Sequence, residues 1–299
     1  MLTADAEHVM TDTQARPPRL LTIAGSDSGG GAGIQADLKA FAHAGAHGMS
    51  AITAITAQNT LEVREVYPLP PGAVVAQVAA VVDDIGVDAV KIGMLGTRET
   101  IEAVDRALDL VGDVPVVLDP VMVAESGAVL LDGDAREALR ELILPRATVV
   151  TPNLPEARVL AESRAAANAD APALALARAI HALGPDAVVV TGGHREVAGD
   201  VFFDGEQLEE IAGERYPDGA AHGSGCTHSS TLAAQLARGL DPLAAARVAK
   251  EVAGRAVRDG LRSIGAGAGP VDVFGLARQA AREPGGLDPS AAARGGEVS

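Results

Sequence analysis

Short, mostly apolar runs rich in β-branched residues alternate with longer alanine- and leucine-rich segments along most of this 299-residue chain. Residues 20–24, 87–92 and 187–190 are clear short runs, and residues 97–111 and 242–261 are clear long segments. A strand that is apolar at every position is buried on both faces, as in a parallel sheet between two helical layers. The alternation therefore predicts an α/β fold, with a mostly parallel central sheet flanked by helices on both faces.

The same pattern assigns the rest of the chain. It predicts further strands over residues 51–57, 62–67, 115–118 and 148–150, and two short strands around 200–211. It predicts further helices over residues 34–44, 71–82, 135–144, 171–183 and 226–238, and one that begins near residue 155. Because no Pro/Gly/Ser-rich linker or repeat divides this body, we expect one domain over residues 19–282. Residues 1–18 and 283–299 have too little apolar content to pack and are expected to be disordered tails.

Composition excludes several classes of function. With 40 acidic against 24 basic residues, the net charge is −16, which repels nucleic acid. No apolar run approaches the roughly eighteen residues of a membrane span, and the N-terminus lacks the order of a secretory signal. A single cysteine rules out a disulfide framework and fits a reducing compartment. We therefore expect a cytoplasmic protein that acts on small molecules, without nucleic-acid or membrane partners.

A glycine-rich loop, residues 25–33, follows the first predicted strand. Residues 31–36 imitate a dinucleotide fingerprint, but the end of the next strand, residues 51–58, lacks the acid that would bind a ribose. The segment around Asp27 also resembles a nucleophile elbow, although an elbow normally follows several strands. Two interpretations stay open: a loop whose backbone approaches a small polar ligand, and a tight turn that needs glycine for its dihedral angles.

A second loop, residues 221–227, opens an alanine-rich helix. The amides of Gly223, Ser224 and Gly225 can converge at the helix start and form a nest for a phosphoryl group that is being transferred. Cys226 lies at the same helix N-terminus, where the pKa of a thiol is expected to be lowered. The alternative is that Cys226 is an inert packing residue.

A third motif, Asn153 with Glu156, follows the predicted strand at 148–150. Both side chains could face one site and hold a magnesium ion, or they could simply begin a helix. Other polar groups at strand ends form a predicted ring around one cleft: residues 58–60, 91–94, 119–120 and 191–194. We assign no ligand role to five histidines, which are predicted to be surface or packing residues: His8, His43, His47, His181 and His228.

Taken together, these motifs closely resemble the hydroxymethylpyrimidine/phosphomethylpyrimidine kinases of thiamin biosynthesis, in the ribokinase superfamily. The resemblance runs from about residue 20 to about 274 and is carried by residues 21–39, 56–60, 91–94, 151–157, 192–194 and 222–227. It implies a ribokinase-like fold and ATP-dependent phosphorylation of 4-amino-5-hydroxymethyl-2-methylpyrimidine, then of its monophosphate. It also implies a homodimer.

The resemblance further implies a role for individual residues. The pyrimidine would lie beside Gly25, Asp37, Gln58 and Met94. ATP would be bound by Asn153, Glu156, Thr191, Gly193, Gly225 and Lys250, with magnesium near Glu156 and Asp119. Catalysis would use Cys226, in the place where many superfamily members carry an aspartate base, together with Gly223, Ser224 and Gly225. Two positions depart from the family pattern on the phosphate side: Ala221, where threonine is common, and Thr191, where lysine is frequent.

Two other functions compete with this one. A pyridoxine or pyridoxal kinase of the same group would also phosphorylate a hydroxymethyl group on a flat heterocycle. A pyrimidine-binding regulator without activity could use the same scaffold, but it would not need the phosphoryl nest at residues 223–226.

Overall fold

The computed structural model describes residues 16–161, 172–192 and 199–280. Most of both predicted tails, residues 1–15 and 283–299, therefore lies outside the described residues. Of the expected N-terminal tail, Arg16 is described, and its guanidinium forms an ion pair with Asp88 at 2.7 Å.

The described residues form one nine-stranded sheet with the order β3-β2-β1-β4-β5-β6-β7-β8-β9. Its strands are β1 Arg19–Asp27, β2 His47–Gln58, β3 Val63–Pro68, β4 Ala89–Ile92, β5 Val116–Leu118, β6 Val149–Val150, β7 Ala187–Val190, β8 Asp200–Phe203 and β9 Leu208–Ile211. The six central strands run parallel to one another, in the order β2-β1-β4-β5-β6-β7 across the sheet. At the two edges, β3 pairs antiparallel with β2, β8 pairs antiparallel with β7, and β9 pairs antiparallel with β8. The predicted fold class, a mostly parallel sheet, is confirmed.

Helices cover both faces of this sheet. They are α1 Gly33–His43, α2 Pro71–Asp84, α3 Arg98–Val111, α4 Gly133–Ala138, α5 Leu154–Ala161, α6 Ala173–His181, α7 Ser224–Ala237, α8 Pro242–Arg258 and α9 Leu276–Ala280. Successive strand residues point to opposite faces, so Leu21 packs in the layer of α2 to α6 while Leu20 packs with α1, α7 and α8. None of the described helices is long and apolar enough to cross a membrane.

A helix and a strand differ from the sequence-based prediction. The helix predicted over 135–144 is only partly α-helical, because α4 passes into a π turn, Leu139–Ile143, and then a 3₁₀ turn, Leu144–Arg146. Pro145 has no amide hydrogen, so a regular ladder cannot continue through it. The first strand is longer than predicted and carries Asp27 to the carboxyl edge of the sheet, where it pairs with Thr56 of β2.

Candidate active site

A cleft of about 1290 Å³ lies at the carboxyl ends of the parallel strands and is closed on one side by the start of α7. This is the edge at which open parallel sheets bind ligands. A pocket for one drug-sized ligand is typically about 300–1000 Å³, so this cleft has room for a heterocycle and a nucleotide together. Every candidate site residue that the structure describes lines it, with the exception of Asp37.

One end of the cleft is formed by Gly25, Gln58 and Met94. The Met94 side chain packs directly on Gly25, because a Cβ atom added there would lie 2.9 Å from Met94 Cε. The Thr56 hydroxyl donates to the side-chain oxygen of Gln58, Oε1, at 3.1 Å, and the backbone N–H of Gln58 donates to Ser28 Oγ at 2.9 Å. These bonds join the end of β2 to the first loop and orient an amide that both donates and accepts hydrogen bonds.

Asp37 does not line the cleft, which corrects the expectation that it contacts the substrate. Its side chain extends from α1 into the interior and is fully buried. It accepts hydrogen bonds from the Thr22 hydroxyl at 2.7 Å and the Ser230 hydroxyl at 2.8 Å, and an ion pair with Lys91 at 2.8 Å completes its contacts. With these partners, Asp37 joins α1, α7 and the sheet and leaves no oxygen for a ligand.

Lys91 is a completely buried ammonium beneath the centre of the cleft. Its Nζ also lies 4.0 Å from Asp119 Oδ2. Burial opposes its charge, but the nearby Asp37, Cys226 and Asp119 outweigh burial and raise the pKa of Lys91. Lys91 therefore carries a positive charge under the two groups, Asp119 and Cys226, at which phosphoryl chemistry was predicted.

The two glycine-rich loops touch each other. Gly223 has a φ of +85°, and a Cβ atom there would lie 1.8 Å from the Gly31 carbonyl oxygen. A Cβ atom on Gly31 would in turn lie 2.1 Å from the His222 ring. Glycine is required at both positions because any side chain would push the loops apart. The motif at 222–227 thereby lies directly against the motif at 25–33.

Asp27, which was missed as a site residue, organises the first loop. Its carboxylate accepts the backbone N–H groups of Gly29, Gly31 and Ala32 at 2.8–3.0 Å. Burial would raise its pKa, but the hydrogen bond from His222 and these amides outweigh burial and lower the pKa. Its oxygens are thus committed to the loop, which argues against the nucleophile-elbow interpretation. The available signal was an acid followed by glycines two and four residues later.

Cys226 lies in the first turn of α7 and is partly exposed to the cleft. The structure contradicts the expected lowering of its pKa. Desolvation of the thiol, together with the negative charges of Asp37 and Asp119, raises the pKa of Cys226 to about 12. The positive charge of Lys91 and a hydrogen bond from the Gly33 amide oppose this rise. Desolvation is the largest cause of the rise, and the two carboxylates that the fold brings near the thiol add to it.

Asn153 and Glu156 begin α5 with a reciprocal pair of hydrogen bonds. The Asn153 N–H donates to Glu156 Oε2, and the Glu156 N–H donates to Asn153 Oδ1, both at 2.9 Å. This is a capping box, so the helix-start interpretation of the motif holds. Both residues also line the cleft, so the site interpretation remains open alongside it. Thr191 pairs with Asn153 in a β-bridge, while the predicted Gly193 lies outside the described residues.

Asp119 and Glu156 are the candidate magnesium ligands. Burial and the Asp119 charge raise the pKa of Glu156 to about 8, although N–H groups of Asn153 and Met122 oppose the rise. Burial and Asp37 likewise raise the pKa of Asp119. Within the described ranges, no set of three or more His, Cys, Asp or Glu side chains forms a metal cage. Two buried, mutually repelling carboxylates do fit Mg²⁺, which typically binds through one or two carboxylates and substrate phosphates.

Comparison with known proteins agrees with this geometry. The profile of the family described as phosphomethylpyrimidine kinase matches residues 27–272. The chain belongs to this family. A hydroxymethylpyrimidine/phosphomethylpyrimidine kinase of Rhizobium meliloti is 49% identical over 85% of this chain and 96% of its own length. One of Streptomyces coelicolor is 46% identical over 86% of this chain and 94% of its own.

The family fold also extends to kinases of a second heterocycle. The structure of a Staphylococcus aureus pyridoxal kinase in complex with AMP-PCP and pyridoxal matches with a TM-score of 0.77 and 33% identity. The match covers 88% of this chain and 96% of that one. Members of the phosphomethylpyrimidine kinase family thus share their architecture with an enzyme that was captured with a nucleotide analogue and a flat alcohol together.

Proposed function

We propose that this protein is an ATP-dependent kinase that phosphorylates the hydroxymethyl group of 4-amino-5-hydroxymethyl-2-methylpyrimidine, and then the resulting monophosphate, in thiamin diphosphate biosynthesis. In each step the γ-phosphoryl group of ATP passes to an oxygen of the acceptor and ADP leaves. The first step releases the proton of the hydroxyl group, whereas in the second step the acceptor is an ionised phosphate oxygen and no proton is released. The observation that carries the proposal is a continuous cleft. It joins Gly25, Gln58 and Met94 to the start of α7 and to Lys250.

The chain's own residues divide the work as follows. Gln58 hydrogen-bonds the amino edge and ring nitrogen of the pyrimidine, and Met94 packs on its face. In the first turn of α7, the N–H groups of Gly225 and Cys226 have no partner within the helix and stabilise charge on the phosphoryl group in transfer, whereas the Ser224 N–H already donates to the Ala221 carbonyl oxygen. Phosphoryl transfer depends mostly on such positioning and charge stabilisation, so it does not require a preformed thiolate.

Cys226 remains the proposed proton acceptor for the substrate hydroxyl, since its thiol lines the cleft at the helix start. Asn153, Thr191 and Lys250 are proposed to bind ATP, and Asp119 and Glu156 would hold Mg²⁺. When bound, Mg²⁺ neutralises negative charge on the phosphate oxygens.

A coupled assay of ADP release tests this function. The pyrimidine alcohol and pyridoxal are supplied side by side to the full chain with ATP and magnesium. We expect kcat/KM to be at least about tenfold higher for the pyrimidine, a difference of about 1.4 kcal/mol in transition-state binding. Product analysis then shows whether the monophosphate is converted to the diphosphate. If neither the pyrimidine alcohol nor pyridoxal supports ADP release, the proposed function is refuted.

Pyridoxal kinase is the second candidate, because the matched Staphylococcus aureus structure contains pyridoxal. A preference for pyridoxal in the same assay would favour it. A regulator without activity is disfavoured, since the relatives at 46–49% identity are named as kinases.

We also propose a cytoplasmic homodimer. Four apolar side chains on the edge formed by β2 and β3 are 37–58% exposed and support a contact between copies: Ile55, Leu61, Val66 and Tyr67. Light scattering on the purified protein should give the mass of two chains, and Tyr67→Glu should reduce it to that of one.

A further inference from the structure

Asp200, the first residue of β8, is buried at the end of the cleft where ATP phosphates are proposed to bind. Its Oδ1 accepts the Gly192 N–H at 2.9 Å and the Lys250 ammonium at 2.6 Å. Lys250 reaches it from α8 and keeps 15% of its side chain exposed. One buried carboxylate therefore determines where the cleft's lysine and the end of β7 lie.

The other oxygen of Asp200 faces His228, on the second turn of α7. His228 Nε2 lies 3.4 Å from Asp200 Oδ2, which is an ion-pair distance without hydrogen-bond geometry. The contact is therefore a loose pairing: among the described residues, His228 Nδ1 has no hydrogen-bond partner, and His228 Nε2 and Asp200 Oδ2 face only each other without a well-formed hydrogen bond. Buried polar atoms are nearly always partnered in native proteins, so three such atoms side by side at a cleft wall point to a function.

We infer that Asp200 and His228 are positioning residues for a nucleotide polyphosphate: Asp200 holds Lys250 at the cleft wall, and His228 becomes the partner of Asp200 when Lys250 turns toward phosphate. This inference rests on the proposed function, which places ATP phosphates beside Lys250. The sequence analysis assigned neither residue to the site and predicted His228 to be a surface or packing residue.

The physical reason is the cost of an unpaired buried charge. A lysine that left Asp200 for a phosphate would strand the carboxylate in a low-dielectric site, which is strongly unfavourable. A histidine beside the second oxygen removes that penalty, because a small ring movement brings Nε2–H into a hydrogen bond. Burial favours the neutral acid, yet His228 and Lys250 outweigh burial and lower the pKa of Asp200, so the carboxylate is ionised.

Binding of ADP to the purified full chain, without any alcohol, tests the inference by calorimetry. Adenosine, which lacks phosphates, is the second probe. We expect Asp200→Asn and Lys250→Met each to weaken ADP binding about tenfold or more. Because the two residues act as one unit, the double variant should bind ADP no more weakly than Lys250→Met does. His228→Leu should weaken ADP binding, and His228→Gln, which can still donate to Asp200, should restore most of it. Adenosine affinity should not change.

Thr231→Val is the matched control, because Thr231 is buried on the same helix, its Oγ1 also lacks a partner, and it does not line the cleft. Its ADP affinity should equal that of the parent. The inference would be overturned if the variants lost equal affinity for adenosine and ADP, or if the losses in ADP affinity were additive in the double variant. It would also be overturned if the parent bound no ADP. Should Asp200→Asn fail to fold, the two His228 variants decide the question. A parent that binds ADP but phosphorylates no pyrimidine would refute the proposed function alone.

Discussion

The Asp27 carboxylate and the His222 imidazole lie 3.1 Å apart, although 195 positions separate them in the chain. Asp27 already holds three amides of its own loop, so this one bond attaches the 221–227 loop to an organised structure. The two ends of the cleft that we propose to bind the pyrimidine and the phosphoryl group are thereby kept in one geometry. This is what a transfer reaction between two bound ligands requires.

Asp27→Asn should weaken the fold in a pH-dependent way. The pKa of Asp27 is lowered in the folded protein, so its contribution to stability is present above the unfolded value, about 3.9, and is lost as pH falls through the folded value. In urea unfolding, the free energy of unfolding of the parent should exceed that of the variant by about 1–3 kcal/mol near pH 7. This difference should become smaller near pH 3. A gap that stays constant with pH would mean that the charge on Asp27 contributes nothing.

Lys91→Met should be strongly destabilising, because it leaves the buried Asp37 carboxylate without its counter-ion. Breaking a buried pair by removing one partner typically costs about 3–5 kcal/mol. The double variant that also carries Asp37→Asn should lose clearly less free energy of unfolding than the two single variants combined, as measured by urea unfolding. Additive losses would show that the 2.8 Å contact is not a coupled ion pair.

Gln58→Ala should weaken pyrimidine binding by about 1–3 kcal/mol, roughly 5- to 150-fold, because the ring's polar edge loses its partner. The KM for ATP should barely change, since Gln58 ends β2 near one edge of the sheet, whereas Lys250 contacts Asp200 of β8 near the other edge. Steady-state kinetics with each substrate varied in turn separates the two effects. Equal losses for both substrates would assign Gln58 to the fold rather than to the ring.

Glu156→Gln separates the helix-start role from the metal role. Glutamine can still accept the Asn153 N–H in a capping box, so the free energy of unfolding should change little. The magnesium concentration for half-maximal activity should rise and kcat should fall, because a carboxylate near the metal is lost. Unchanged magnesium dependence would leave Glu156 as a capping residue only.

Cys226 should be unreactive in the ligand-free protein. With its pKa raised to about 12, very little thiolate is present at neutral pH. Alkylation by iodoacetamide near pH 7.5, followed by mass spectrometry, should be at least about 10²-fold slower than that of a free thiol. Since Cys226 is the chain's sole cysteine, denatured protein is a clean reference. Rapid alkylation of the folded protein would restore the original expectation of a lowered pKa.

Cys226→Ser tests the proposed proton acceptor separately. The substitution keeps the shape of the α7 start, so both KM values should hold while kcat falls by about 10²-fold. A serine variant that keeps most of its kcat would move the proton-acceptor role away from Cys226.

The sequence by itself determined the fold class, because apolar strands and amphipathic helices follow local periodicity that can be read without a structure. It also predicted that the polar groups at strand ends share one cleft, since parallel strands bring their carboxyl ends to one edge. The glycine motifs at 25–33 and 221–227 were readable because close backbone approach needs glycine whatever surrounds it.

Only the tertiary structure decided the electrostatics. The thiol of Cys226, the ammonium of Lys91 and the carboxylate of Asp37 come from different elements, and their pKa values depend on distances that no spacing in the sequence encodes. Asp37 proved to be a buried counter-ion, and His228 proved to lie at the cleft beside Asp200. Hydrophobic patterning is a local property of the chain, whereas desolvation and charge pairing are properties of the packed interior.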